Sequence, residues 1–125
     1  MASLKILSMN CNSIIGKIDT IRAHVETYKP DLVSITETKI DARFQDNELL
    51  GENFTIWRKD RKQGAGGVLV AVCNDSNVSI LNSVAGPGES ICLVFQYKFT
   101  HTLSFVLLPS IDPQMNTILI TLNIR

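Results

Sequence analysis

Two short apolar segments, separated by a helical pattern, constrain the fold of this 125-residue chain more than any other feature. Residues 4–9 and 32–36 each have the length and apolar content of a buried strand, and Pro30 and Asp31 precede the second. A strand, a crossover helix and a second strand form a parallel pair whose carboxyl ends meet at one edge of a sheet. The sequence therefore predicts an α/β fold.

The segment between these strands has the periodicity of an amphipathic helix. Its apolar residues recur at spacings of three and four, and they are Ile14, Ile18, Ile21, Val25 and Tyr28. Residues at this spacing share one face of a helix. Asn12 or Ser13 is predicted to cap the start of the helix, and Pro30 is predicted to end it.

Polar residues follow both predicted strands. Asn10 and Asn12 come after the first strand, and Glu37 comes after the second. Ligands of open α/β sheets bind at the carboxyl ends of strands, and a carboxylate beside amides suits a hard cation and a phosphate. The sequence thus predicts a metal and phosphate site. The alternatives are a turn role for Asn10, a helix cap for Asn12 and a solvated strand end for Glu37.

The remainder of the chain alternates between short apolar segments and turns. A polar segment over residues 41–53 is predicted to hold one helical turn, and a final helix is predicted over residues 114–123. Further strands are predicted at residues 54–58, 66–73, 78–81, 91–97 and 103–108.

The amino-acid composition limits which kinds of partner are expected. Twelve basic and twelve acidic residues leave no net charge, which argues against a strong uniform field for DNA but permits a local basic patch. Three cysteines lack metal or redox spacing, so free thiols and no disulfides are expected. No segment has the length of a membrane span or a signal peptide, so an intracellular protein without a membrane partner is expected.

Four segments resemble a known superfamily. Residues 7–12 (LSMNCN) and 30–39 (PDLVSITETK) resemble the first two motifs of the endonuclease/exonuclease/phosphatase superfamily. Residues 58–62 (RKDRK) and 64–72 (GAGGVLVAV) are similar to the basic turn and glycine-rich strand of the apurinic-type endonuclease domain of LINE-like (non-LTR) retrotransposons. The resemblance covers only the N-terminal half of that domain. It implies half of a four-layer α/β sandwich of the DNase I-like type, mainly one mixed sheet with covering helices.

The resemblance also implies a function and a set of site residues. The expected activity is hydrolysis of DNA phosphodiesters with Mg²⁺ or Mn²⁺, in the nucleus if the chain belongs to an active retroelement. Asn10 and Glu37 would be catalytic, and Glu37 and Asn12 would hold the metal. The residues expected to contact DNA phosphates are Arg58, Lys59, Arg61 and Lys62.

Two departures from the family pattern predict weak activity. The later family motifs, an Asp-x-Asn strand and a terminal Asp-His pair, have no counterparts at the expected places, which implies that residues 1–125 are a truncated domain. Leu107 and Leu108 occupy the places of a tyrosine and an arginine, and leucine cannot donate a hydrogen bond to a phosphate. The chain is thus expected to be an inactive endonuclease fragment or, alternatively, a non-catalytic relic or nucleic-acid-binding module. Self-association through an uncovered sheet face is also expected.

Overall fold

The computed structural model describes residues 2–61, 66–85, 91–97, 101–107 and 117–124. Within these ranges the chain forms eight strands and two helices. In chain order they are β1 (Ala2–Asn10), α1 (Ile18–Tyr28), β2 (Leu32–Thr36), α2 (Asp46–Leu50), β3 (Phe54–Lys59), β4 (Val68–Cys73), β5 (Val78–Ala85), β6 (Ile91–Tyr97), β7 (His101–Leu107) and β8 (Thr117–Ile124).

The larger sheet has five strands in the order β3-β4-β2-β1-β8. β1 and β2 are parallel and joined by α1, and Asn10 lies opposite Thr36 at their carboxyl ends. β4 pairs antiparallel with β2, and β8 pairs antiparallel with β1. The predicted strand–helix–strand unit and the mixed sheet are therefore confirmed.

Both faces of this sheet are covered, which explains why every residue of β2 is buried. On one face, Val33 and Ile35 pack with Ile21 of α1 and Leu49 of α2. On the other face, Leu32 belongs to a separate apolar cluster. The other members of that cluster are Leu4, Ile6, Val68, Val70, Val72 and Ile91.

The second sheet has three antiparallel strands in the order β5-β6-β7, with a register shift between Ile80 and Asn82. Ile91 of β6 is buried in the second cluster, and Val78 and Ile80 of β5 pack against it. The expectation that this face would be left open is therefore wrong. β4 is paired on both sides, with β2 and β3, and β5 pairs with β6 in a separate sheet.

The predicted final helix over residues 114–123 is also wrong, because Thr117–Ile124 forms strand β8. Threonine and isoleucine provide five of its eight residues, and β-branched side chains favour strands over helices. β8 also pairs with β1 from Ala2 to Met9, so its backbone groups bond across the sheet instead of within a helix.

α1 begins later than predicted. Its N-cap is Lys17, without a side-chain cap bond, whereas Asn12 and Ser13 lie earlier at positive φ values of 44° and 84°. The predicted capping role of these two residues is therefore wrong. At the other end, Lys29 adopts the left-handed conformation and its N–H donates to Val25 O at 2.8 Å, directly before Pro30.

The described residues contain no helix that is long and apolar enough to cross a membrane. Cys11 and Cys73 carry free thiols, Cys11 buried and Cys73 half-buried, and the side chain of Cys92 lies outside the described residues.

Candidate active site

Beyond the ends of β1 and β2, the two chain segments continue side by side. The N–H of Cys11 donates to Thr36 O at 3.1 Å, and the N–H of Ser13 donates to Glu37 O at 2.7 Å. A third bond joins the N–H of Ile14 to Thr38 O at 3.0 Å. These bonds fix residues 11–14 against residues 36–38. Asn10 and Glu37 consequently lie at one edge of the sheet, where the sequence places them.

The segment that carries Glu37 is also held on its other side. The N–H of Thr38 donates to Gly67 O at 3.3 Å, and the N–H of Lys39 donates to Gly66 O at 2.7 Å. Glu37 and Lys39 have positive φ values of 59° and 55°, which non-glycine residues seldom adopt. Residues held in such conformations cluster at functional sites, where the surrounding structure fixes them.

The side chains of Asn10 and Asn12 differ in their surroundings. Asn10 is buried, and its Oδ1 accepts the N–H of Asn12 at 3.1 Å, which orients the amide. Asn12 is exposed, and its Oδ1 accepts a hydrogen bond from Lys39 Nζ at 2.6 Å. Lys17 Nζ donates to the backbone oxygens of Cys11 at 2.5 Å and Asn12 at 3.1 Å. Two ammonium groups therefore meet at Asn12.

Sequence reasoning missed both of these lysines. Lys39 stands two residues after Glu37, inside the second family-like motif, so its position could have indicated a site residue. Lys17 gave no such signal, because its contact depends on the turn in which its N–H donates to Ile14 O at 3.0 Å. Together they give this edge of the sheet a local positive charge that the zero net charge conceals.

Cys11 lies beneath the same edge as a neutral thiol. Its Sγ lies 3.6 Å from Thr36 O and 3.5 Å from Glu37 O, where it donates weak hydrogen bonds. Burial raises the pKa of Cys11 from 9.0 to about 11, and the lowering effect of Lys17 is not enough to offset it. A thiol with this pKa supports the two carbonyl groups and does not act as a nucleophile at neutral pH.

The oxygen donors at this edge fit a weakly held divalent cation. Glu37 is half-buried and supplies a carboxylate, whereas Asn12 Oδ1 is bonded to an ammonium group. Over the described ranges, no three His, Cys, Asp or Glu side chains cluster in a way that could enclose a metal. Mg²⁺ binds through one or two carboxylates plus water, so Glu37 suits an open, hydrated site.

No protein-family model matches the sequence, and no curated protein matches it. Solved structures do resemble the fold. The AP endonuclease LMAP from Leishmania major matches with a TM-score of 0.62 and 16% identity, over 83% of this chain and 39% of that chain. An AP endonuclease from Archaeoglobus fulgidus has a TM-score of 0.52 and 19% identity, over 72% and 36% of the two chains. An endonuclease/exonuclease/phosphatase family protein from Bacteroides thetaiotaomicron has a TM-score of 0.59 and 14% identity, over 84% and 48%. The chain has the endonuclease/exonuclease/phosphatase fold.

The chain spans less than half the length of these three structures. Such partial coverage is consistent with the predicted N-terminal half of the DNase I-like α/β sandwich. The predicted resemblance is confirmed for the fold, and the roles of individual residues within that fold stay predictions.

Within this fold, Arg58 makes internal contacts. Its side chain is 13% exposed and forms ion pairs with Asp60 at 2.8 Å and Asp46 at 3.1 Å. It also donates to the backbone oxygens of Asp41 and Phe44, both at 2.6 Å. The predicted contact with DNA phosphates would have to compete with these bonds.

The structure describes two of the other three residues that were predicted to contact DNA. Lys59, at the end of β3, is half-buried and Arg61 is exposed, while Lys62 lies outside the described residues. Leu107 ends β7, but its side chain and all of Leu108 lie outside the described residues.

The opposite edge of the sheet carries other polar features. Asp75-Ser76-Asn77, an Asp-x-Asn triplet, lies in the turn between β4 and β5. A groove of about 520 Å³ opens there between the end of α1, the start of β3 and the end of β4, and Cys73 lines it. Neither feature is near the ends of β1 and β2 where Asn10 and Glu37 lie.

Proposed function

We propose that this chain carries part of the active site of a Mg²⁺-dependent endonuclease that hydrolyses DNA phosphodiesters. The observation that carries the proposal is the convergence of Asn10, Glu37, Lys17 and Lys39 at one edge of the sheet. The fold shared with two AP endonucleases supports it. The basic turn and glycine-rich strand at residues 58–72 favour the type found in LINE-like retrotransposons, whose site of action would be the nucleus.

Each residue has a distinct part in this proposal. Glu37 would hold Mg²⁺ or Mn²⁺, which when bound polarises the phosphodiester and neutralises its charge. The ammonium groups of Lys17 and Lys39 would attract the phosphate oxygens. The buried amide of Asn10 would orient the same phosphate, since its bond with Asn12 fixes its position. Asn12 would join the metal only if Lys39 moved away from Oδ1.

We propose that this chain alone hydrolyses DNA poorly. The sequence has two histidines, His24 and His101; His24 stacks on Tyr28 in α1, and His101 begins β7. Neither lies at the ends of β1 and β2. A positioned general acid or base contributes about 10²–10⁴-fold to such reactions, so a site that lacks a histidine in this role should have low activity.

A non-catalytic nucleic-acid-binding module is the second candidate. The contact between Lys39 Nζ and Asn12 Oδ1 favours it, because an ammonium group already occupies an oxygen that a metal ion would need. Such a module would bind DNA phosphates through Lys17 and Lys39 without a divalent cation.

Mg²⁺ or Mn²⁺ titration of the chain, followed by amide NMR, tests the metal assignment. We expect affinity on the order of millimolar or weaker, because few fixed oxygen ligands are available. The amides around Glu37 should respond first, and Glu37→Gln should abolish the response. Glu26→Gln, on the exposed surface of α1, is the matched control and should leave the response intact. Undiminished binding in Glu37→Gln would reject Glu37 as the ligand.

Two further measurements separate the candidate functions. Supercoiled plasmid incubated with Mg²⁺ should not be nicked above the level of Glu37→Gln. Robust nicking that depends on Glu37 would show that the chain is a competent enzyme. Binding of an oligonucleotide that persists with a chelator and is lost in Lys17→Ala/Lys39→Ala would instead favour the non-catalytic module.

A further inference from the structure

The segment around Glu37 is strained and must be held in place by its neighbours. Glu37 and Lys39 both have left-handed backbone conformations, and Thr38 lies between them. A conformation that side chains disfavour persists only where other contacts determine it. The backbone oxygens of Gly66 and Gly67, which accept the N–H groups of Lys39 and Thr38, provide such contacts.

Thr38 and Gly67 approach each other unusually closely. Thr38 is fully buried, and its Oγ1 has no hydrogen-bond partner among the described residues. A Cβ added to Gly67 would collide with that Oγ1, while it would lie 3.6 Å from Thr38 Cβ, an ordinary contact. Gly67 also has φ of 95°, a conformation that glycine adopts without a steric cost. The lack of a side chain at Gly67 therefore allows the backbone just before β4 to reach the Glu37 segment.

We propose that Gly67 is a positioning residue for Glu37 and Lys39, and that Thr38 takes part only through its backbone N–H. Gly67 admits the close approach, and the bonds from the N–H groups of Thr38 and Lys39 then fix the direction in which the carboxylate and the ammonium group leave the backbone. The inference rests on the proposed function, since it assigns these residues to the same metal and phosphate site. The glycine-rich segment would then have a structural role at that site.

The chain offers a matched control for the effect of the backbone conformation alone. Gly51, after α2, has φ of 85°, similar to that of Gly67, but a Cβ there would meet no atom within 4 Å. Gly51→Ala therefore imposes the conformational cost without the collision. Gly67→Ala imposes both, and Gly67→Ala/Thr38→Ala removes the collision with Oγ1 while keeping the conformational cost.

The experiment measures Mn²⁺-induced broadening of the Glu37 and Lys39 amide signals in these variants of the full chain. Gly67→Ala should weaken the apparent Mn²⁺ affinity about 10- to 100-fold, the range seen when a residue that orients a metal ligand is lost. The double variant should recover most of the affinity. Gly51→Ala should match the unaltered chain, and so should Thr38→Ala, because it keeps the backbone N–H and removes only an Oγ1 without a partner among the described residues.

Several results would overturn the proposal. A folded Gly67→Ala with unchanged affinity would do so, as would a double variant no better than Gly67→Ala. If Gly51→Ala lost as much Mn²⁺ affinity as Gly67→Ala, the loss would be due to backbone strain in general and not to the collision with Thr38. If Gly67→Ala fails to fold, a double variant that folds and binds Mn²⁺ supports the contact, and one that also fails to fold excludes it.

Failure of the proposed function gives a different result. If the unaltered chain shows no Mn²⁺ response, the metal site is wrong, but hydrogen exchange of the Lys39 amide still reports the positioning contact without any metal. Exchange should accelerate in Gly67→Ala and return toward the original rate in the double variant. Unchanged exchange in Gly67→Ala would contradict the positioning role by itself.

Discussion

At Asn12, the local charge comes from two lysines and not from an acidic group. Lys39 Nζ binds its Oδ1 and Lys17 Nζ binds its backbone oxygen, so the surroundings of Asn12 favour an anion over a cation. The sequence left two roles open for this residue. The capping role is wrong because α1 begins at Ile18, and the metal role stays a prediction that Lys39 opposes.

Cysteine reactivity provides a prediction at the scale of single residues. With a pKa of about 11, Cys11 exists as thiolate to roughly 10⁻⁴ at neutral pH, and it is also buried. Cys73 is half-buried and lines the groove at the opposite edge. In variants that each retain one cysteine, we expect an aromatic disulfide reagent to label Cys73 much faster than Cys11. Equal rates would contradict the burial of Cys11.

The raised pKa of Cys11 also determines whether the unfolding free energy rises or falls with pH. The pKa of Cys11 is higher in the folded chain than the ordinary value of 9.0, so ionisation of the thiol favours unfolding. Its contribution should be intact below pH 9 and should be lost as the pH rises toward 11. The difference in unfolding free energy between the chain and Cys11→Ser, measured with urea across this range, should shrink accordingly.

At the scale of elements, short strands and their ends were predictable, whereas the pairing of β8 with β1 was not. The segments that form β1, β2 and β4 are apolar enough to be predicted as buried strands, and Pro30 marks the end of α1. β8 lies far from its partner β1 in sequence, so local patterns could not show the pairing that decides its conformation. The role of Arg58 depends in the same way on a distant segment, residues 41–46, which the sequence presented only as part of a polar segment with one helical turn.

We predict that Arg58 holds residues 41–46 in place. Its guanidinium donates to Asp41 O, Phe44 O, Asp46 and Asp60. Burial by itself lowers the pKa of Arg58, but the carboxylates of Asp60 and Asp46 raise it above its ordinary value. Arg58→Ala would leave their oxygens without these donors. Hydrogen bonds to charged groups contribute about 1.5–3 kcal/mol, so we expect a loss of roughly 2 kcal/mol in unfolding free energy.

Denaturant unfolding of Arg58→Ala and of a matched variant measures this effect. Arg43→Ala removes an exposed guanidinium that pairs with Asp41, and such surface pairs contribute little. Arg43→Ala should therefore leave stability nearly unchanged. A loss of similar size in the two variants would show that Arg58 does not anchor the loop.

At the scale of the whole molecule, the two covered faces of the larger sheet account for much of the sequence pattern. The almost continuous apolar runs of β2 and β4 agree with burial on both faces, whereas one uncovered face was predicted from the sequence. The second face is covered because Ile91 of β6 and Val78 and Ile80 of β5, in the separate second sheet, pack on it. Because this face is covered, we expect the chain to associate through the outer strands of the sheet and not through its faces.

The outer strands of the larger sheet are β3 and β8, and they differ in charge. β3 contains Arg58 and Lys59, whereas Thr117–Ile124 has no charged residue and is rich in β-branched residues. Edge strands without charges pair readily with other chains, so we expect the chain to associate through β8. Thr121 lies opposite Lys5 in β1, which allows a charge to be added there with a favourable cross-strand pair.

Thr121→Glu should therefore shift the chain toward the monomer, as measured by size-exclusion chromatography with light scattering over a range of concentrations. Thr55→Glu, the same substitution on β3, should change the association much less, because that edge is already charged. The association itself would be refuted by a chain that remains monomeric at every concentration. An equal effect of the two substitutions would instead attribute the change to net charge, because each adds one negative charge to a neutral protein.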